Sequence, residues 1–138
     1  MSYRCEELFL QELLRRAERI NMAFDQNCIF CKIIEKKIPS KLVHEDELAV
    51  AFEDLNPQAP IHILIVPKKH IADIHSIKQN DRELIGHLFF VAQALGQEKG
   101  LDKSGYRIVI NNGRDAGQGV FHIHLHMLAG RPMAWPPG

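Results

Sequence analysis

The run His122-Ile123-His124-Leu125-His126-Met127-Leu128 alternates histidine with a large apolar residue at a period of two. In an extended strand, residues at that spacing share one face, so the run commits this part of the chain to a β-sheet. All three imidazoles then lie on one side, with Ile123, Leu125 and Met127 on the other. A strand that needed only a polar side would carry Thr, Ser or Lys there. Three imidazoles in a row can bind a metal, attack an electrophile or move protons near neutral pH. The strand reads as the centre of an enzyme.

At 138 residues the chain is sized for one domain, able to bury roughly two-thirds of its unfolded surface. Its formal net charge of zero argues against nucleic-acid and polybasic membrane partners. No apolar run approaches the ~18–20 residues of a membrane span, and the charged start MSYRCEELFLQELLRR lacks the apolar core of a secretory signal. Three cysteines, an odd number, fit a reducing compartment better than a disulfide framework. The expectation is a cytoplasmic protein, also nuclear if the source has a nucleus.

From about Glu6 to Phe24, Leu10, Leu13, Leu14, Ala17 and Ile20 recur at helical spacing. This predicts a helical extension over residues 1–26, docked on the domain or on a partner chain. The domain proper spans 27–138. A short helix is expected over Phe30 to Glu35, then strands over about Leu42 to Glu45, Leu48 to Glu53 and Ile61 to Val66. The last is apolar on both faces, as a central strand should be. Asn80, with Glu83 completing a capping box, would start a long helix that stops at Gly100. Leu84, Leu88, Val91 and Leu95 form its buried stripe. Strands follow over Tyr106 to Asn111 and Phe121 to Leu128, with a glycine-rich loop between them. The fold class is α+β: an antiparallel sheet of about five strands covered by one long helix. Trp135, in a proline-rich tail, is either a frayed end or an anchor onto another subunit.

Two chemistries fit the alternating histidines: a three-histidine metal site, or one nucleophilic imidazole with flanking helpers. Same-face residues along a strand lie about 6.5–7 Å apart, so three converge on one metal only if the strand bends. Spacing therefore leans towards a central nucleophile. The loop Asn112-Gly113-Arg114-Asp115-Ala116-Gly117-Gln118-Gly119 supports this, because its glycines let backbone amides approach an anion closely. Cys28-x-x-Cys31 admits three readings: small buried side chains, a redox pair, or half of a zinc site. His44, His75 and His87 read as surface or helix-face residues.

The His-φ-His-φ-His-φ-φ pattern, with φ apolar, resembles the signature of the histidine triad superfamily. The similarity extends through Ile38-Pro39, Ala51-Phe52, Asn56-Pro57-Gln58-Ala59-Pro60-Ile61-His62, Val66-Pro67-Lys68-Lys69-His70, Gly105-Tyr106-Arg107 and Gly130-Arg131. The closing Trp135-Pro136-Pro137-Gly138 is typical of its histidine triad nucleotide-binding branch. From about Asn27 onward the chain looks like a member of that branch; residues 1–26 fall outside the resemblance.

The resemblance implies a homodimer whose two sheets join into one of ten strands. It implies hydrolysis of purine nucleoside phosphoramidates, substrates with an AMP or GMP moiety linked to an amine nitrogen. His124 would be the nucleophile, forming a nucleotidyl-histidine. His126 would hold a phosphate oxygen, with His62 and His122 in support. Asp54 would bind the ribose hydroxyls, and Ile29, Phe30, Ile33, Phe52 and Leu55 would enclose the purine. Asn111, Gly117, Gln118, Gly119 and Val120 would contact phosphate and sugar. The chemistry would need no cofactor, but relatives that keep both cysteines bind structural zinc, which here implies Cys28, Cys31, His70 and His122. One position departs from the pattern: Gly119 stands where most members of the branch have serine, whose hydroxyl helps the leaving amine. The expectation is slower phosphoramidate turnover, or a different donor or a water in place of the hydroxyl. The rival readings are another histidine triad reaction, such as dinucleoside polyphosphate hydrolysis or nucleotidyl transfer, and a nucleotide-binding regulatory or scaffold protein.

Overall fold

The computed structural model describes residues 6–14 and 24–138. Residues 6–14 are helical (α1), and every one of them is exposed. Leu10, Leu13 and Leu14, expected to form its apolar stripe, are among these exposed residues. Ala17, Ile20 and Cys5 lie outside the described residues. The domain comprises α2 (Ile29–Ile34), β1 (Leu42–Glu45), β2 (Ala49–Glu53), β3 (Ile61–Pro67), α3 (Arg82–Glu98), β4 (Arg107–Val109) and β5 (Leu125–Ala129). The strands form one antiparallel sheet in the order β1-β2-β3-β5-β4.

The doubly apolar central strands have a simple cause: both faces of the sheet are covered. Ala49, Ala51, Ile63, Ile65, Leu125, Met127 and Ala129 pack with Leu88, Val91, Ala92 and Leu95 of α3. The alternate residues Val50, Phe52, Leu64 and Val66 pack with Cys28, Phe30, Cys31 and Ile33 at α2. The second, smaller core holds the histidines, because His122 and His124 meet Phe30 edge-on at centroid distances of 5.9 and 5.0 Å. Gly96 lets α3 settle beside the strand end. A Cβ there would lie 2.7 Å from the Tyr106 ring.

Several boundaries differ from the sequence reading, most clearly at the histidine strand, the start of α3 and the fourth strand. The histidine strand enters the ladder only at Leu125, because its partner β3 ends at Pro67, which has no N–H to donate. His122 and His124 precede the ladder, held by Ile123 N–H donating to the Ile71 carbonyl at 2.6 Å. Their facing survives the loss of pairing. Helix α3 begins at Arg82 after a 3-10 turn over Gln79–Asp81. Its start is tied by the Asp81 carboxylate, which accepts from Lys78 N–H at 2.9 Å and Lys69 Nζ at 2.6 Å, not by Asn80 and Glu83. The expected stop is present: Gly100 adopts φ +69°, a conformation that favours glycine. The fourth strand keeps only Arg107–Val109 of the six residues expected. No helix among the described residues is long and apolar enough to cross a membrane.

Candidate active site and metal centre

The three histidines of the alternation are not equivalent, and their hydrogen bonds say why. Nδ1 of His124 lies 2.7 Å from the carbonyl oxygen of His122. A carbonyl can only accept, so that nitrogen carries the proton and Nε2 of the neutral ring keeps its lone pair. His122 is turned the other way: its Nε2 donates to the Pro67 carbonyl at 2.7 Å, leaving the lone pair on Nδ1. Burial lowers the pKa of His124, against raising contributions from the His122 carbonyl and Asp54. Burial, opposed by the Pro67 carbonyl and helped by His70 and His124, takes His122 to about 4. Both rings are neutral at physiological pH.

His126 belongs to a separate chain of contacts. The Gln58 backbone N–H donates to Nδ1 of His62 at 3.0 Å, so His62 carries its proton on Nε2. That atom lies 2.9 Å from Nδ1 of His126 and 3.3 Å from the Asp54 carboxylate. His126 therefore accepts at Nδ1 and holds its own proton on Nε2. Burial, with the neighbouring His124 and His62 and against Asp54, lowers His126 to about 4. The rings of His124 and His126 are 4.9 Å apart. One offers a lone pair and the other an N–H: a nucleophile beside a hydrogen-bond donor.

Cys28, Cys31, His70 and His122 present their ligand atoms within 4.8 Å of one another. Nδ1 of His122 is 3.5 Å from Cys28 Sγ, 3.6 Å from Cys31 Sγ and 3.2 Å from Nδ1 of His70. Nδ1 of His70 is 3.3 Å from Cys31 Sγ. A tetrahedral zinc ion with ordinary bond lengths sets sulfur and nitrogen ligands about 3.5 Å apart and two nitrogens about 3.3 Å apart. The four residues fit such an ion closely. Both sulfurs also accept backbone N–H bonds, Cys28 from Cys31 and Cys31 from Asp25, a setting that suits thiolates. Burial, opposed by the Asp25 amide and aided by Cys28, pushes the Cys31 thiol up to about 11; a bound cation would reverse that. Asp54, His62 and His126 also lie close together, but there the Gln58 amide and the His62–His126 bond already account for both His62 nitrogens and for Nδ1 of His126.

The residues implied to bind nucleotide separate into two groups. Phe30, Ile33 and Phe52 are buried in the smaller core, with Phe30 and Phe52 in edge contact at 5.5 Å. Ile29, Gly119 and Val120 line a groove of about 300 Å³ together with Cys28, His70 and Phe121. Leu55 is 98% exposed and Asn111 half-buried. Asp54 accepts from Asn56 N–H at 2.9 Å and faces His62. In the glycine loop, Gly117 N–H donates to Arg114 and Gln118 N–H to Gly113. The buried Gln118 side chain accepts from Gly113 N–H and donates to the Ala72 and Val120 carbonyls. Gln118 therefore staples the loop. The amides of Gly119 and Val120, two residues that border the groove, take no part in these loop bonds.

Sequence reasoning missed two arrangements. His44 and His87 both place Nε2 2.7 Å from Asp46 Oδ2, tying the β1–β2 turn to α3. The other is the contact between Arg131 and the Gln58 carbonyl, at 2.8 Å from Nη2. No local pattern marks either, since the partners are 41 and 73 residues apart.

A family model described as HIT domain matches residues 35–133. The chain is 48% identical over 116 residues to a 14 kDa zinc-binding protein of Zea mays, covering 83% of this chain and 90% of that one. It superposes on a HIT family hydrolase from Legionella pneumophila with a TM-score of 0.80 and 51% identity, covering 81% of this chain and all of that one. A histidine triad nucleotide-binding protein from Candida albicans gives a TM-score of 0.70 at 35% identity, covering 80% and 83%.

Proposed function

The chain belongs to the HIT domain family, and we propose that it is a purine nucleoside phosphoramidase of the nucleotide-binding branch, its catalytic domain spanning residues 27–138. The observation that carries this reading is the pairing of a lone pair on His124 Nε2 with an N–H on His126 Nε2, on rings 4.9 Å apart. Phosphoryl transfer is mostly positioning and charge stabilisation, and these groups supply both.

In this reading His124 Nε2 attacks the α-phosphorus while the phosphorus–nitrogen bond of the substrate breaks. The amine leaves with a proton taken from water, the nucleotidyl group stays on the imidazole, and the later hydrolysis returns that proton to solvent. Water then attacks the same phosphorus, the bond to His124 breaks, and nucleoside monophosphate is released. His126 N–H and the loop amides hold the phosphoryl oxygens, and Asp54 takes the ribose. Cys28, Cys31, His70 and His122 would hold zinc, whose contribution when bound is structural: it fixes α2 against the histidine strand. Pairing of two copies through the β4 edge would give the ten-stranded sheet. The exposed Tyr106, immediately before β4, supports such a contact.

The test is incubation with adenosine phosphoramidate, a dinucleoside polyphosphate and AMP, with intact-mass detection of a nucleotidyl adduct. Phosphoramidate turnover with an adduct at His124 supports the proposal. Preferential polyphosphate cleavage would favour another reaction of the family, and AMP binding without turnover a regulatory or scaffold role.

A further inference from the structure

Extending the β3–β5 pairing one step past Ile61↔Ala129 brings Pro60 against Gly130 and sets Arg131 over the loop that precedes β3. The approach is close: Gly130 adopts φ +94°, and a Cβ on it would lie 2.8 Å from the Pro60 ring. Arg131 then directs Nη2 and Nε at the Gln58 carbonyl, at 2.8 and 3.3 Å, while Nη1 donates to the Pro132 carbonyl at 3.1 Å. These three contacts are all with carbonyl oxygens. The planar fork is therefore spent on fixing backbone.

The residue so held is the one whose N–H reaches His62 Nδ1 at 3.0 Å. A neutral imidazole has two tautomers of similar energy in water, and the acceptor or donor at one nitrogen decides which is populated. We propose that Arg131 is a positioning residue for the active site. By anchoring the loop at Gln58 it keeps that amide on His62, which sets the His62 proton on Nε2, the His126 lone pair on Nδ1, and so the His126 N–H on the nitrogen available to substrate. Arg131 touches no reacting atom in this scheme and acts through two imidazoles. The catalytic consequence rests on the phosphoramidase reading, but the tautomer consequence does not.

The experiment is nitrogen-detected NMR of the histidine rings in the full-length protein, alongside Arg131→Met and Arg131→Lys. In the native protein His62 and His126 should both carry the proton on Nε2, and a through-hydrogen-bond coupling should link the Gln58 amide nitrogen to His62 Nδ1. Arg131→Met should weaken that coupling and mix the tautomers of both rings while the spectrum of the distant α3 stays native. It should lower kcat roughly tenfold with KM changed by less than about twofold, and Arg131→Lys should restore part of both. A proton on His62 Nδ1 in the native protein overturns the proposal without recourse to any variant. So do unchanged tautomers in folded Arg131→Met, or mixed tautomers with unchanged kcat. A native protein that does not turn over phosphoramidates would instead remove the phosphoramidase reading and leave the ring signals to decide this one.

Discussion

His124 donates its Nδ1–H to the carbonyl oxygen of His122 at 2.7 Å, so the backbone of one histidine in the alternation orients the side chain of the next. The contact requires no other residue, which makes the nucleophilic tautomer a property of the strand itself. The side chain of His122 is left to the cysteine cluster. One segment thereby holds both the proposed nucleophile and a residue of the candidate metal centre.

Removing the proposed nucleophile should separate chemistry from binding. His124→Asn is expected to lower phosphoramidate turnover by about a thousandfold or more and to abolish the nucleotidyl adduct, with AMP affinity changed by less than about threefold. Calorimetric titration with AMP and single-turnover kinetics check the two halves. Substantial turnover in this variant would remove His124 as the nucleophile.

The metal centre should matter to the fold more than to the reaction. Metal analysis is expected to find one zinc per chain in protein purified without chelator. Stripping it should lower stability by about 4 kcal/mol at a thousandfold excess of zinc over its Kd, read as a fall in Tm that zinc restores. Cys31→Ser should lose both metal and Tm but less activity than His124→Asn. Native protein purified without zinc, with a Tm indifferent to chelator, would contradict the assignment.

Acid should destabilise the domain before its carboxylates titrate. Burial first, then His124 and His62, lower His126 to about 4, below the ordinary value of roughly 6.5. A depressed folded-state pKa contributes stability that is full above the unfolded value and is lost as pH falls from about 6.5 to 4. His126 should account for roughly 2 kcal/mol of that loss after allowance for its partial exposure. His62 and His124 shift the same way. Urea unfolding at pH 7 and pH 4.5 should show the difference, reduced in His126→Asn. Equal reduction of stability in both proteins would assign the effect elsewhere.

The histidine face was legible because strand periodicity acts within a few residues and outlasts the loss of ladder pairing at His122 and His124. The zinc-fitting cluster was half legible: Cys28 and Cys31 announce themselves by spacing, while His70 and His122 join them only through the fold or a family resemblance. Phe30, Ile33 and Phe52 are nominated by resemblance alone, and the fold adds that all three are buried in the smaller core. A resemblance can nominate an apolar residue for a pocket, but whether it faces ligand or core depends on packing from α2 and β2. The contacts of His87 with Asp46, and of Arg131 with Gln58, are set by register and helix placement, which no short window of sequence encodes.

The His44–Asp46–His87 contact predicts a stability effect away from the site. Burial alone would raise the Asp46 pKa, but bonds from His44, Leu48 N–H, His87 and Ala49 N–H outweigh it and hold the carboxyl well below its usual range. Its stabilisation is therefore present above the ordinary carboxylate pKa and fades only in strong acid. Asp46→Asn should cost about 1–2 kcal/mol and leave turnover near the native level. A loss confined to activity, with urea stability unchanged, would show that the cluster serves the active site instead.

Gly119 offers the sharpest test of the reaction itself. A Cβ at this position meets nothing within 4 Å, and its φ is not in the region that favours glycine, so serine fits without moving the loop. Gly119→Ser keeps the amide that faces the proposed phosphate site and adds a hydroxyl able to donate to the departing amine. General-acid assistance of this kind is worth roughly 10²-fold or more where leaving-group departure limits the rate. The single-turnover rate of nucleotidyl transfer to His124 should therefore rise, most for poorly leaving alkylamines and least for good leaving groups. The substitution should not alter AMP affinity by more than about twofold, since the amide contact is unchanged. A rate that stays level across the amine series would mean that proton delivery to the amine already has another source, such as water or the His126 N–H.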